Sequence, residues 1–128
     1  MNLKTIFMKK VFFICVSILL FMTGCSGSFN EEKATGLIEK YYHDSENFTE
    51  ADANEMVKQL ELLDKEITPM MQDYRENGTD NLSERNRLAS IRYELSRITE
   101  WELAKEYPDI AEKSRQISIE YGKFLNKE

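Results

Sequence analysis

The chain has 128 residues, a formal net charge of −6 and two cysteines, Cys15 and Cys25. This length is enough for one hydrophobic core and not for two. The excess of acidic residues argues against nucleic acid as a binding partner, because nucleic acids bind basic surfaces. A single histidine, His43, excludes the paired-histidine motifs of zinc proteases and di-iron helical bundles.

The first 24 residues have the features of a signal peptide. Three lysines (Lys4, Lys9 and Lys10) precede the uncharged residues 11–22, and no acid occurs before Glu31. A helix of twelve residues is about 18 Å long, too short for a hydrocarbon core of ~30 Å, but it matches the apolar region of a signal peptide. The alternative interpretation of residues 11–22 is a helix buried in the core. Lysines on one side only are not needed for such a helix, so they favour the signal peptide. Met8, which directly precedes two lysines, is an alternative translation start to Met1.

This apolar stretch ends in Met22-Thr23-Gly24-Cys25, which resembles the lipobox of bacterial lipoproteins. In that family a Leu, a small residue, a Gly or Ala and an obligatory Cys end the apolar region; here Met22 stands where Leu is usual. The resemblance implies diacylglyceryl transfer to the Cys25 thiol, cleavage between Gly24 and Cys25, and usually acylation of the new amino terminus. Two or three acyl chains, at about 0.8 kcal/mol per buried methylene, anchor a protein stably. We therefore interpret Cys25 as a membrane anchor and not as a redox or metal-binding residue.

The resemblance divides the chain into a signal peptide (1–24), a lipidated tether (25–29) and a single domain (30–128). Cleavage removes three lysines and no acid, so the net charge of the mature chain falls from −6 to −9. In this family an Asp directly after the lipidated cysteine favours retention in the inner membrane. Here that residue is Ser26, so the outer membrane is the expected location. We expect the protein in the cell envelope, on either the periplasmic or the external face of the membrane.

The mature chain shows the spacing of amphipathic helices. Asn30 can cap a first helix whose apolar stripe comprises Ala34, Leu37, Ile38, Tyr41 and Tyr42. Thr49 and Asp52 form a capping box before a second helix, whose apolar residues step by three and four: Ala53, Met56, Leu60, Leu63, Ile67, Met70 and Tyr74. We call this row of apolar residues the seam. Pro69 interrupts the seam and predicts a kink in the helix. Gly78 is suited to the position after the helix, where a left-handed backbone conformation is common.

Asn81 with Glu84, or Asp80 alone, can start a third helix, and Pro108 either ends that helix or lies in the first turn of a fourth. The third helix continues the pattern through Leu88, Ile91, Leu95 and Ile98, and Trp101 and Leu103 are expected to widen its stripe toward Tyr107. The apolar face of the fourth helix comprises Ile110, Ile117, Tyr121, Phe124 and Leu125. These patterns predict an all-α fold, an elongated antiparallel bundle of three to four helices with the first helix packed on a side or an end.

No catalytic constellation is recognisable, so we predict that the protein is not an enzyme and uses no cofactor. His43, Asp44 and Glu46 could form a weak surface metal site, but exposed loop residues are the favoured interpretation. The serines have no base at a recognisable spacing, and the isolated glycines form no phosphate-binding loop.

Two sets of side chains suggest a surface that binds a partner. One set is aromatic, and the other consists of arginines two turns apart on the third helix; together they are Tyr41, Tyr42, Arg85, Arg92, Tyr93, Trp101 and Tyr107. The alternatives are aromatic residues that close the edges of the core and a solvated face of ion pairs such as Glu94 with Arg97.

These observations predict a lipid-anchored protein-interaction module in the envelope. An immunity protein against an envelope toxin and an accessory subunit of an envelope assembly are both consistent with the sequence. The alternative is a lipoprotein that binds a small ligand or metal, at a groove around Trp101 or at the His43 loop. The expected partners are the lipid bilayer, through acylated Cys25, and one other protein, with no nucleic acid.

Overall fold

The computed structural model describes residues 27–126, so the predicted signal peptide, with Gly24 and Cys25, lies outside the described residues. Four helices form the domain: α1 (Glu31–His43), α2 (Glu50–Asn77), α3 (Leu82–Arg97) and α4 (Pro108–Leu125). A 3₁₀ turn (Ser45–Asn47) follows α1, and a π-helical turn (Ile98–Glu102) follows α3. Within residues 27–126 there is no strand, and the all-α prediction is confirmed. None of the helices in this range is long and apolar enough to span a bilayer.

The long helix α2 organises the bundle. Its 28 residues extend about 42 Å at ~1.5 Å per residue, which gives the domain the predicted elongated shape. The Asn81 side chain, just before α3, donates to the Met70 carbonyl of α2 at 3.0 Å, so α2 and α3 are antiparallel. Arg75, near the end of α2, donates to the Leu125 carbonyl at the end of α4, so these two helices are parallel.

Helix α1 packs on α2 and α3. The Lys40 ammonium lies 2.9 Å from the Asp52 carboxylate at the start of α2, and Gln59, further along α2, accepts from the Asn30 backbone N–H at 2.8 Å. Helices α1 and α2 are therefore antiparallel. The buried Gln59 also holds the chain where it enters α1.

The core follows the predicted seam of α2 as far as Ile67. Its members on α2 are fully or almost fully buried: Ala53, Met56, Leu60, Leu63 and Ile67. Leu88, Leu95 and Ile98 face them. Beyond Pro69 the seam leaves the core, because Met70 is half-buried and Tyr74 is 50% exposed. The helix runs through Pro69 without a break, as the continuous phase of the pattern predicted.

Both predicted N-terminal caps of α1 and α2 are present. The Asn30 side chain accepts from the Lys33 N–H at 2.9 Å. At α2 the Thr49 hydroxyl accepts from the Asp52 N–H at 3.2 Å, and the Asp52 carboxylate accepts from the Thr49 N–H at 2.9 Å. These bonds satisfy backbone donors that have no partner inside a helix.

Replacing Thr49 with alanine is expected to lower the free energy of unfolding by about 1 kcal/mol, because the Asp52 N–H loses its acceptor. Urea titration followed by circular dichroism measures the change. Ser83→Ala, at an exposed position near the start of α3, is the matched control and should leave the midpoint unchanged. An equal effect of the two substitutions would contradict the role of the cap.

In the turn between α2 and α3, Gly78 has the predicted conformation, whereas Asn81 does not cap α3 as predicted. Gly78 adopts a left-handed φ of +66° and donates its N–H to the Tyr74 carbonyl at 2.9 Å. Asn81 precedes α3 but makes no side-chain cap. Its amide instead donates to Met70 of α2, and its side-chain oxygen accepts from Arg85. Asn81 thus ties two helices together rather than capping one.

Candidate partner-binding surface

The π-helical turn determines which side chains reach the surface after α3. The Leu103 N–H donates to the Ile98 carbonyl, five residues earlier, at 2.9 Å. Ile98 and Leu103 are both buried, and Leu103 is the next buried apolar residue after Ile98, five positions further on. The extra residue in the turn moves Trp101 outward, and 72% of Trp101 is exposed. The prediction that Trp101 widens the apolar stripe is therefore wrong.

A buried pair of hydroxyl groups holds this turn against α4. Thr99 is fully buried, donates to the Leu95 carbonyl at 2.7 Å, and lies 2.7 Å from the Ser114 hydroxyl. Since the single hydroxyl hydrogen of Thr99 is used by Leu95, Ser114 must be the donor in the second bond. The turn that carries Trp101 is thus fixed on its inner side. Such π turns occur frequently at functional sites.

A network of charged and phenolic groups joins the turn to α1. The Arg97 guanidinium contacts the Glu94 carboxylate at 3.0 Å and the Glu102 carboxylate at 2.9 Å. The Tyr42 hydroxyl donates to Glu94 at 2.8 Å, and the Tyr41 hydroxyl donates to Glu102 at 3.3 Å. Partial burial, together with the Glu102 carboxylate, raises the pKa of Tyr41 above its usual value. This phenol therefore stays a neutral donor throughout the physiological pH range.

We define the aromatic face as Tyr42, Tyr93 and Trp101 with the network of Glu94, Arg97 and Glu102 beside them. Tyr93 is 63% exposed and Tyr42 is 47% exposed. The Tyr42 ring packs edge-on against Tyr41, with centroids 5.4 Å apart. Tyr93 lies one helical turn before Arg97 and lines a shallow depression with Asn86, Ala89, Ser90 and Glu94.

The structure brings four of the seven predicted residues to this region and places the other three elsewhere. Arg85 lies at the α2–α3 turn, with its guanidinium 4.4 Å from the centroid of the Tyr74 ring. Arg92 points into the bundle and binds Asp64. Tyr107, at the start of α4, is half-buried and packs against the core. The two arginines therefore form no continuous exposed strip.

The sequence predicted the Glu94–Arg97 pair but missed Glu102. Residues three apart are neighbours on an α-helix, whereas residues five apart, such as Arg97 and Glu102, are not. The π turn brings these two together. The apolar pair Ile98 and Leu103, spaced by five, is the signal that could have indicated it.

The His43 loop shows no metal-binding geometry. His43 is exposed, and its Nε2 lies 3.4 Å from the Glu39 carboxylate on the same helix. In residues 27–126 no group of three or more histidine, cysteine, aspartate or glutamate side chains could hold a metal ion. No protein-family model, no curated protein and no solved structure matches the chain.

Proposed function

We propose that the protein is a lipid-anchored envelope lipoprotein whose helical domain binds another protein through the aromatic face, without enzymatic activity. The observation that carries the proposal is Trp101, a large aromatic side chain 72% exposed on a turn whose two ends are buried. An immunity protein and an accessory subunit of an envelope assembly both fit this function. The Met22–Cys25 lipobox supports the anchor and the envelope location, with the outer membrane favoured.

The aromatic face has the composition of a binding hot spot. Trp, Tyr and Arg are the residues that contribute most to protein–protein affinity, especially when they cluster. Trp101 sits on a turn anchored by Thr99, and the Tyr42 hydroxyl is held by Glu94. A surface that is already ordered loses little conformational entropy on binding. The face is therefore suited to a specific contact.

The tether limits where the partner can be. Five residues, 25–29, span at most about 17 Å when extended, and the 13 residues of α1 add about 20 Å. The aromatic face includes Tyr42, near the end of α1. An acylated Cys25 would therefore keep this face within roughly 40 Å of the bilayer. We propose a partner that is itself in the envelope membrane or comes close to its surface.

A pull-down from native membranes tests this function. The tagged full-length lipoprotein is crosslinked mildly, purified and analysed by mass spectrometry beside Trp101→Ala and Leu82→Ala variants. Leu82 is also an exposed apolar residue, but it lies at the α2–α3 end of the bundle. We expect one near-stoichiometric partner with the wild type and Leu82→Ala, and its loss with Trp101→Ala. Only abundant membrane proteins, at levels matched by a Cys25→Ala control, would contradict the proposal.

A further inference from the structure

The turn that follows α2 contains an asparagine directly before a glycine. Asn77-Gly78 is the only such pair in the sequence. Both residues are exposed, and apart from the chain neighbours of Gly78 no atom of residues 27–126 lies within 4 Å of the place that its Cβ would occupy. Asparagine is chemically labile, and a following glycine has no side chain to shield its backbone nitrogen from the asparagine amide. This pair is therefore where the chain can lose an amide most readily.

The loss of the amide is an internal substitution that needs only water. The Gly78 nitrogen gives its proton to a base and forms a bond to Cγ of Asn77, while the bond from Cγ to the amide nitrogen breaks and ammonia leaves. Water then opens the resulting cyclic imide. Opening at Cγ gives aspartate, and opening at the backbone carbonyl carbon gives isoaspartate, in which the main chain runs through the side-chain carbons.

Hydrogen bonds hold both reacting groups in the fold. The Gly78 N–H donates to the Tyr74 carbonyl at 2.9 Å, and the Asn77 amide donates to the Asp73 carboxylate at 2.7 Å. Side chains on a helix point back toward its N-terminus, and the bond to Asp73, one turn earlier, keeps Cγ of Asn77 in that direction. The Gly78 nitrogen follows Asn77 in the chain, so the amide is directed away from the atom that would attack it.

Asp73 is the group on which this protection depends. The hydrogen bond from Asn77, with a smaller contribution from the Thr79 side chain, lowers the pKa of Asp73 below its usual value. The carboxylate is therefore charged at neutral pH and remains an acceptor. Because α2 ends at Asn77, these bonds lie in its last turn, and the ends of helices open at little cost in free energy. Such an opening frees the Asn77 amide and the Gly78 nitrogen together.

We propose that Asn77 is a site of spontaneous deamidation, which the fold keeps closed and which opening of the α2 terminus releases. The rate of reaction is then the rate in the open chain multiplied by the fraction of time for which the terminus is open. The products oppose reclosure, because they lack the amide that donates to Asp73 and add a second carboxylate at the negative end of the helix dipole. The site lies at the α2–α3 end of the bundle and is independent of the aromatic face.

Peptide mass spectrometry measures the conversion directly, because both products differ in mass from asparagine and are separated from each other by chromatography. The full-length protein in a non-ionic detergent is incubated in mildly alkaline buffer, with and without guanidinium chloride above the unfolding midpoint. We expect Asn77 to convert at least about tenfold faster in guanidinium, where no fold protects it. Asn54 and Asn86, which precede Glu and Arg, should react far more slowly in both buffers. Equal rates at Asn77 in the two buffers, or no conversion in guanidinium, would overturn the proposal.

Three variants separate opening of the α2 terminus from unfolding of the whole domain. Asp73→Ala removes the acceptor of the Asn77 amide and should speed the conversion severalfold in buffer, without changing the rate in guanidinium. Asp80→Ala removes an equal charge from the same turn, and Thr49→Ala destabilises the opposite end of α2; neither should change the rate in buffer.

Three results from these variants would also overturn the proposal. The first is a rate for Asp73→Ala equal to that of the wild type. The second is an acceleration by Asp73→Ala that is just as large in guanidinium. The third is an acceleration by Asp80→Ala or Thr49→Ala as large as that by Asp73→Ala.

Discussion

Replacing Arg92 with alanine is expected to lower the free energy of unfolding by about 3–5 kcal/mol, because it leaves the Asp64 carboxylate buried without its cation. The wild-type pair has two hydrogen bonds, at 2.5 and 3.0 Å. The substitution also removes the guanidinium that packs on the Tyr121 ring. Urea unfolding at neutral pH measures the loss. Arg115→Ala is the matched control, since its ion pair with Glu112 is half-exposed, and its unfolding midpoint should barely move.

The effect of Arg92→Ala should depend on pH in a definite direction. Burial raises the pKa of Asp64 above its usual value, although Arg92 opposes this shift. A carboxyl group whose folded pKa is raised destabilises the fold as the pH rises through that pKa. Without Arg92 the folded pKa rises further, so the penalty should be largest at neutral pH and shrink on acidification toward the unfolded value near 3.8.

The double variant Asp64→Leu/Arg92→Met distinguishes the loss of an ion pair from a general loss of packing. It removes both charges and keeps side chains of comparable size, so most of the stability should return. Two results would contradict a stabilising role of the ion pair: a loss of stability in Arg92→Ala that does not depend on pH, or a double variant that is no more stable than Arg92→Ala.

Replacing Trp101 with alanine is expected to weaken partner binding at least about 30-fold, the effect of a hot-spot residue worth about 2 kcal/mol. The stability of the domain should change by less than about 0.5 kcal/mol, because the side chain lies at the surface. Surface plasmon resonance with the partner identified by pull-down, alongside urea unfolding, separates the two quantities. Leu82→Ala should leave the affinity unchanged. Loss of stability in parallel with affinity would mean that Trp101 has a structural role.

The sequence predicted the helices well because their signals are local. Thr49 and Asp52 form the expected capping box, Gly78 has the expected left-handed conformation, and the α2 seam is buried as far as Ile67. Each signal involves residues a few positions apart, where helical geometry fixes which side chains meet. The exposed end of the seam at Tyr74 depends instead on where neighbouring helices stop, which spacing alone does not specify.

The candidate site was harder to predict because it depends on a change of helical phase and on tertiary contacts. An α-helical period places Trp101 toward the core, and only the π turn moves it to the surface. The sequence pattern groups Arg92 with Arg85, seven residues away on the same helix. The partner of Arg92, Asp64, is 28 residues away on α2, and no local pattern indicates that pair.

The most direct test of partner binding through the aromatic face is site-specific photo-crosslinking of the full-length protein in native membranes. A photoreactive phenylalanine analogue replaces Tyr93, on the aromatic face, and in a second variant replaces Leu82. We expect one crosslinked protein from position 93 that is absent from position 82. No product from position 93, or the same products from both positions, would contradict binding through the aromatic face.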